Sequence, residues 1–309
     1  MKHLILNADD LGFSPHVNAA IFDCVINGSV TAASVMINMP FAESAFRDVR
    51  DRCPDLSLGL HFNLTSGNPV SKPNEIPLLV DANGRFCRNF QGLWRLLISE
   101  KTRRAARQQI QKEFHGQREK MTDLSTRYHC RFDHLDSHQH VHALSGIYET
   151  LENETKNHNL VLRIPVEPFG DWRRFTRRFV NGFPVGLLKR CLLKSLLYDK
   201  KCRPIFYGIS ETGRMSQNAL MEIIRAFADS RKLFQTAEIN IHPGGSDSLS
   251  GAMANPDCSI ADRRFHASKW RTREYQAARS NFVRNLCNAS GIRLTGFQAC
   301  ALDEKEGNS

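Results

Sequence analysis

The 309-residue sequence lacks the long hydrophobic run that a membrane-spanning helix requires. No stretch approaches roughly 18–20 uninterrupted apolar residues, and no segment repeats at a fixed period. These absences exclude a helical membrane protein, a coiled coil and a short-repeat solenoid. With 41% hydrophobic and 24% charged residues, the composition is that of a folded globular protein and not of a disordered chain.

The nine cysteines include no C-x-x-C pair. Because their number is odd and their spacing irregular, they disfavour a disulfide framework or a structural zinc site, and we expect reduced, mostly buried thiols. The N-terminal apolar run covers only residues 4–6 before Asp9 and Asp10, which is too short and too acidic for a signal-peptide core. Both features predict a cytoplasmic protein.

Short strand-like runs alternate with amphipathic helices, the pattern of a parallel α/β fold. Helix signals are clearest after the first strand, where Ser14 is the predicted N-cap, Pro15 the first helical residue and Gly28 the stop. Seven or eight such units in one chain favour a distorted (β/α) barrel of seven or eight parallel strands over an open sheet. The strands are predicted near residues 4–8, 31–38, 56–63, 132–138, 161–166, 204–209, 237–242 and 293–298.

Two long helices are predicted over 100–121 and 265–288. We expect one domain spanning 1–302, with a basic helical insertion at 171–201 and a disordered tail at 303–309.

The insertion carries much of the formal net charge of +10, with nine basic and two acidic residues. A positive field of this kind attracts nucleic acid, anionic lipid or charged substrate without choosing among them. Arg190, Lys194 and Lys201 share one face of a predicted helix, beside several leucines. Two interpretations stay open: the segment lies on an anionic membrane surface, or it covers the barrel with a solvated charged face.

Polar residues interrupt strands that an α/β barrel covers on both faces and that should be apolar. They concentrate at the strands' C-terminal ends, where such barrels build their active sites. Since burying ionisable groups without partners is costly, they must pair, bind a metal or line a wet pocket. An Asp pair or a lone histidine is usually structural, but several such clusters together predict a metal-dependent catalytic pocket. The residues are Asp9, Asp10, His61, Asn63, His134, Asp136, His138, Arg163, Glu167, Glu238, Asn240 and His242.

The motifs that contain these residues resemble the YdjC-like carbohydrate deacetylase family, which includes chitooligosaccharide deacetylases. Matching stretches are NADDLG at 7–12, GLHFNLT at 59–65, HLDSHQHVH at 134–142, RIPVEP at 163–168 and EINIHP at 238–243. The resemblance implies a distorted (β/α) barrel that removes the N-acetyl group from an amino sugar. Residues 76–86 and 163–168 look closer to the hopanoid-biosynthesis-associated subgroup, in which the N-acetyl sugar is attached to a lipid.

The resemblance also implies a divalent metal, usually assigned as magnesium, whose ligands here would be Asp10, His61 and His138. Asp9 matches the aspartate assigned as general base, and His242 matches the candidate general acid. Further candidates for substrate binding, or for orienting the ligands and the base, are His134, Asp136, Arg163 and Glu167.

The hydrolysis of an amide requires a metal or another electrophile, a general base and a general acid, and the residues named above can supply these groups. A metal polarises the carbonyl, a carboxylate takes a proton from the attacking water, and an acid protonates the departing amine. Two histidines and one aspartate leave coordination positions open for water and the carbonyl oxygen. Two imidazoles favour zinc or another transition metal over magnesium, so the identity of the metal stays open.

Two other functions remain as alternatives. An amidohydrolase-like barrel enzyme typically carries His-x-His on its first strand, where this chain has Asp9 and Asp10. A nucleic-acid-binding protein is suggested by the charge, but 171–201 contains no helix-turn-helix, zinc-finger or RNP signature. We expect an N-acetylated sugar as substrate, no nucleic-acid partner, contact with a membrane through 171–201 as an open option, and a homo-oligomer.

Overall fold

Strands and helices alternate around one curled parallel sheet in the computed structural model of the chain. It describes residues 1–167, 179–180, 183–184, 204–209, 211–212, 215–230, 235–244 and 257–300. The strands of the sheet are β1 (Lys2–Leu11), β2 (Ala32–Val35), β3 (Ser57–Phe62), β4 (Phe132–Ser137), β5 (Val161–Leu162), β6 (Ile205–Tyr207), β7 (Thr236–Ile241) and β8 (Ile292–Leu294). The helices are α1 (Pro15–Ile26), α2 (Ala42–Arg52), α3 (Phe90–Ile98), α4 (Arg103–Tyr128), α5 (Tyr148–His158), α6 (Gln217–Asp229), α7 (Ile260–His266), α8 (Lys269–Arg279) and α9 (Phe282–Ala289).

The strand order is β5-β4-β3-β2-β1-β7-β6, and every neighbouring pair is parallel. The eighth strand, β8, pairs with the N-terminal residues of β1, below the point where β1 pairs with β2. The end strands β5 and β6 do not pair with each other in the described ranges, so the sheet forms a half-barrel there. The predicted α/β fold with seven or eight parallel strands is confirmed.

The first βα unit shows why the sequence folds in this way. Leu4 and Leu6 of β1 are buried in the main hydrophobic core, together with Val17 and Ile21 of α1. The Ser14 hydroxyl accepts a hydrogen bond from the Val17 amide at 3.2 Å and so caps the helix as predicted. Because all the strands run in one direction, their carboxyl ends meet at one rim of the sheet.

The long predicted helices differ from the observed ones. Residues 265–288, predicted as one helix, lie in α7, α8 and α9, which are separated near Ser268 and Ser280. The Ser268 hydroxyl accepts a hydrogen bond from the Trp270 amide and caps α8, so a side chain that favours caps breaks the helix. The other predicted helix, 100–121, begins at Arg103 and continues to Tyr128.

Most of the predicted insertion 171–201 lies outside the described residues, as does the predicted tail 303–309. Two short segments of the insertion are described, Phe179–Val180 and Phe183–Pro184, and they pair antiparallel. The helical character of the insertion and its contact with a membrane therefore stay predictions. None of the helices described is long and apolar enough to cross a membrane.

The seven cysteines within the described ranges are all free, as expected, and five of them are buried. Burial raises the pKa of the Cys24 thiol above its ordinary value, which keeps it protonated and unreactive.

Candidate metal centre and active site

Three of the predicted site residues converge at the rim from three different strands. Asp10 lies near the end of β1, His61 lies on β3, and His138 directly follows β4. The Oδ1 atom of Asp10 is 3.5 Å from Nε2 of His61 and 3.2 Å from Nδ1 of His138. All three side chains are buried, and their possible ligand atoms lie within 4.8 Å of one another.

The remaining ring nitrogens of both histidines face carboxylates. Nδ1 of His61 is 2.7 Å from Asp136, and Nε2 of His138 is 3.3 Å from Asp262. Carboxylates in these positions fix each imidazole so that its other nitrogen faces Asp10, the arrangement found around protein metal ions. Oδ1 of Asp10 is buried and accepts no hydrogen bond from an amide or a guanidinium of the described residues. A carboxylate oxygen and two imidazole nitrogens directed at one point fit a divalent cation.

The protonation of His138 is consistent with a cation site. Burial disfavours the charged imidazole, but hydrogen bonds to Asp10 and Asp262 outweigh burial and raise the pKa of His138 to about 10. Burial also opposes ionisation of Asp10, yet the hydrogen bond from His138 and the charges of His266 and Arg271 hold the pKa of Asp10 well below its usual range. These shifts favour a protonated His138 beside an ionised Asp10, and a bound cation would replace the His138 proton because a ligand imidazole is neutral.

Arg271 and His266 lie beside Oδ2, the second carboxylate oxygen of Asp10. The Arg271 guanidinium is fully buried and donates from Nη1 to Oδ2 of Asp10 at 2.8 Å and from Nη2 to the Pro243 carbonyl at 3.2 Å. The His266 ring stacks on Phe13, and its Nε2 lies 3.8 Å from the same Oδ2. Asp10 is thereby oriented so that only Oδ1 faces the two histidines.

A second cluster is centred on the buried Arg163. Its guanidinium donates to both oxygens of Asp9, at 2.8 and 2.9 Å, and to Oε1 of Glu238 at 2.7 Å. It also lies 2.8 Å from Oδ2 of Asp136, the carboxylate that orients His61. One arginine therefore connects the side chain of Asp9 to the support of a candidate metal ligand.

The carboxylates around Arg163 differ in protonation. Burial raises the pKa of Asp9, but the charges of Arg163 and His61 and the hydrogen bond from Arg163 together outweigh burial, and the pKa of Asp9 is lowered. For Glu238 burial outweighs Arg163 and raises the pKa to about 7. Asn7 and Asn240 add hydrogen bonds to Asp9 at 2.9 and 3.1 Å, so Asp9 is an ionised and firmly positioned carboxylate.

His242 follows β7 and lies between two carboxylates. Its Nε2 is 3.8 Å from Oδ2 of Asp9, and its Nδ1 is 3.5 Å from Oε2 of Glu274 on α8. Burial disfavours protonation of the ring, but the hydrogen bond and charge of Glu274 raise the pKa of His242 above its ordinary value. A carboxylate with a lowered pKa beside a histidine with a raised pKa has the protonation states that a base and an acid require.

Two predicted candidates lie behind this site. The His134 ring lies 2.8 Å from Asp133 and 3.2 Å from the Ser34 hydroxyl. The same hydroxyl donates a hydrogen bond to Asp136 and so connects His134 to Asp136. Its ring also lies so close to Gly59 that a Cβ there would come within 2.2 Å of it. His134 therefore supports Asp136 from below.

Glu167 contacts the backbone of Gly208, the residue that packs against Asn240. Its Oε1 accepts a hydrogen bond from the Gly208 amide at 2.6 Å. Gly208 has a φ of 141°, and a Cβ at this position would lie 1.6 Å from Oδ1 of Asn240, so only glycine allows Asn240 its place beside Asp9.

Four side chains of α7 and α8 contact the site and were not predicted from the sequence. Arg271, Glu274, Ala277 and Ala278 are buried on one side of α8, so polar residues occupy a stripe that small apolar residues continue. This stripe is visible in the sequence and could have indicated that Arg271 and Glu274 face the interior. The same spacing of charged and small residues is, however, common on helices that face solvent. The four missed residues are Asp262, His266, Arg271 and Glu274.

The sequence profile of the YdjC-like protein family matches residues 3–289 of the chain. Carbohydrate deacetylases from Thermoanaerobacter pseudethanolicus and Geobacillus stearothermophilus are 34% identical over 163 residues and 30% identical over 246 residues. These matches cover 53% and 80% of this chain, and 60% and 81% of the respective relatives. A chitooligosaccharide deacetylase from Proteus mirabilis is 33% identical over 165 residues, 53% of this chain and 60% of the relative.

One solved structure shares the fold over nearly the whole chain. It is an Enterococcus faecalis protein described as a proposed cellobiose-phosphate cleavage protein, with a TM-score of 0.70 and 21% sequence identity. The match covers 96% of this chain and 98% of that one. At this identity the likeness supports the α/β fold alone.

Proposed function

The chain belongs to the YdjC-like protein family, and from this premise we propose that it is a metal-dependent carbohydrate N-deacetylase. In the proposed reaction, water hydrolyses the acetamide of an N-acetylated amino sugar and yields acetate and the free amine. The observation that carries the proposal is the buried Oδ1 of Asp10, which faces one nitrogen each of His61 and His138 beside the pair of Asp9 and His242. The names of the relatives supply the substrate class.

Asp10, His61 and His138 would hold the metal ion. Bound there, a divalent ion supplies Lewis-acid polarisation of the amide carbonyl and acidifies the attacking water. Magnesium is implied by the family, whereas the two imidazole ligands favour zinc or another transition metal. The histidines are held in place by Asp136 and Asp262, and Asp10 by Arg271.

Asp9 and His242 would move the protons. Asp9 accepts a proton from water as the water oxygen attacks the carbonyl carbon, and Arg163 holds Asp9 in position. His242 donates a proton from Nε2 to the sugar nitrogen as the C–N bond breaks, so the amine leaves neutral. When the proton on Asp9 returns to Nε2 of His242, 3.8 Å away, one water has been consumed, the free amine and acetic acid have formed, and the acid ionises to acetate and a proton in solution.

Acetate release tests the proposal. Purified protein is stripped of metal, reconstituted separately with Mg²⁺, Zn²⁺, Mn²⁺ or Co²⁺, and incubated with an N-acetylglucosamine oligosaccharide or with an N-acetylglucosaminyl lipid in detergent. Release of one acetate for each free amine formed is expected from one of the two substrates. The same protein with chelator, and the same sugars already deacetylated, are the controls. Absence of acetate with every metal and both substrates would refute the proposed function, and the substrate that reacts identifies its class.

The pH dependence of this reaction follows from the position of His242. A general acid works only while protonated, and Glu274 raises the pKa of His242 above 6.5. Activity should therefore persist through neutral pH and fall on the alkaline side of 6.5, with one proton lost. Measuring kcat/KM from pH 5 to 10 checks this, with His242→Gln as the control, whose residual activity should lack that alkaline decline. A wild-type decline already complete below pH 6.5 would contradict the role of His242.

Three further features belong to the proposal as expectations. The free cysteines of the described ranges are consistent with a reducing, cytoplasmic location. A lipid-linked substrate would give the basic segment 171–201 a reason to lie on an anionic membrane, which co-sedimentation with liposomes tests. Sedimentation velocity tests the expected homo-oligomer.

A further inference from the structure

Glu274 connects three separate segments at the acid side of the site. Its side chain is 1% exposed, and its Oε1 accepts a hydrogen bond from the Met215 amide at 3.0 Å. Its Oε2 accepts a hydrogen bond from the His242 amide and lies 3.5 Å from Nδ1 of the His242 ring. A buried carboxylate thus accepts a hydrogen bond from the backbone of His242 and lies at ion-pair distance from Nδ1 of its ring.

We propose that Glu274 is the positioning residue of His242: it holds the proton on Nδ1, directs Nε2 toward the substrate, and stabilises the charged ring until the proton is donated. This inference rests on the proposed function, in which His242 is the general acid. Glu274 lies too far along the chain, on α8, to belong to any motif of the strand ends.

The chemical reason is the choice of tautomer. After His242 gives up the proton on Nε2, the neutral ring must keep its remaining proton on Nδ1, or it cannot accept the next proton at Nε2. An acceptor at Nδ1 enforces this form, and its negative charge stabilises the imidazolium. Glu274 can do both at Nδ1, because its carboxylate is buried and its described hydrogen bonds come from two backbone amides and not from an arginine.

The other groups around His242 do not replace Glu274. Asp9 faces Nε2 at 3.8 Å, but its oxygens are engaged by Arg163. Asp10 adds a weaker favourable charge, His140 interacts with His242 electrostatically, and the Phe265 ring of α7 packs edge-on at 5.4 Å. The carboxylate at Nδ1 is therefore the one contributed by Glu274.

Glu274→Gln removes the charge at nearly constant size. An opposite charge at this distance commonly shifts a histidine pKa by about 1–3 units. The alkaline decline of kcat/KM should move to lower pH by about that amount, so that the rate at pH 9 falls about tenfold for each unit. The pKa of His242 followed by NMR on the same protein should fall in parallel, with the resonance assigned from its loss in His242→Gln.

A structural role of Glu274 would give a different pattern. Tyr275→Phe removes a hydrogen bond between α8 and Asp23 of α1 without touching Glu274, and it serves as the matched control. It should leave the pH profile and the pKa of His242 unchanged. Glu274→Asp keeps the charge and should retain more of the alkaline activity than Glu274→Gln. It provides the comparison if the glutamine variant does not fold.

A double-mutant cycle completes the test. In a His242→Gln background, Glu274→Gln should lower kcat by less than about twofold, because the residue through which it acts is gone. Equal losses in both backgrounds, or an unchanged pKa of His242 in Glu274→Gln, would overturn the proposal. If wild-type protein releases no acetate but the NMR shift occurs, the proposed function fails while the pairing of Glu274 with His242 stands.

Discussion

His61→Ala should yield a folded protein that retains no stoichiometric divalent ion and releases no acetate. His61 would supply one of three ligands, and its Nε2 is held toward Asp10 by the contact of Nδ1 with Asp136. With alanine at position 61, only Asp10 and His138 remain as ligands. The buried Asp136 also loses its contact with the His61 ring. Metal content after dialysis, measured by mass spectrometry, and metal affinity, measured by calorimetry, report the loss independently of catalysis.

The matched control is His115→Ala, which removes an exposed histidine from α4. It should bind metal and release acetate as the wild type does. Circular dichroism and thermal unfolding of both variants separate loss of the ion from loss of the fold. Full metal occupancy in folded His61→Ala would remove His61 from the assigned ligands.

The residues at the strand ends could be predicted because of the geometry of a parallel sheet. Asp10, His61 and His242 are far apart in sequence, but the ends of their strands meet at one rim, so strand order alone places them near each other. His134 is also one of the predicted residues, as a group that binds substrate or orients the ligands and the base. It shares a face of β4 with Asp136, but two residues along a strand advance about 6.6 Å, which places it below the rim. There it stacks on Phe297.

The contributions of α7 and α8 could not be predicted in this way. Arg271 is 261 positions from the Asp10 that it contacts, and no periodicity within α8 reports which tertiary surface it will meet. Arg271 and Glu274 are buried where Asp10 and His242 lie opposite them, and a local sequence pattern does not contain that information.

The distinction between Asp9 and Asp10 rests on their hydrogen bonds. Asp9, His61 and Asp136 also have possible ligand atoms within 4.8 Å of one another, so the sequence pair alone does not assign the metal ligand. Both oxygens of Asp9 are occupied by Arg163 and by the amides of Asn7 and Asn240. Oδ1 of Asp10 has no such partner, which favours Asp10 as the ligand.

Asp9→Asn should therefore keep the metal and the fold while kcat falls by about 10²–10⁴-fold, the usual contribution of a general base. Asp10→Asn should instead lose the metal, because a neutral amide is a poor replacement for the one anionic ligand and leaves Arg271 without its carboxylate partner. Metal content and single-turnover acetate release, measured on both variants at equal protein concentration, distinguish the two effects. If Asp9→Asn loses the ion and Asp10→Asn retains it, the two roles are exchanged and Arg163 becomes the support of a metal ligand.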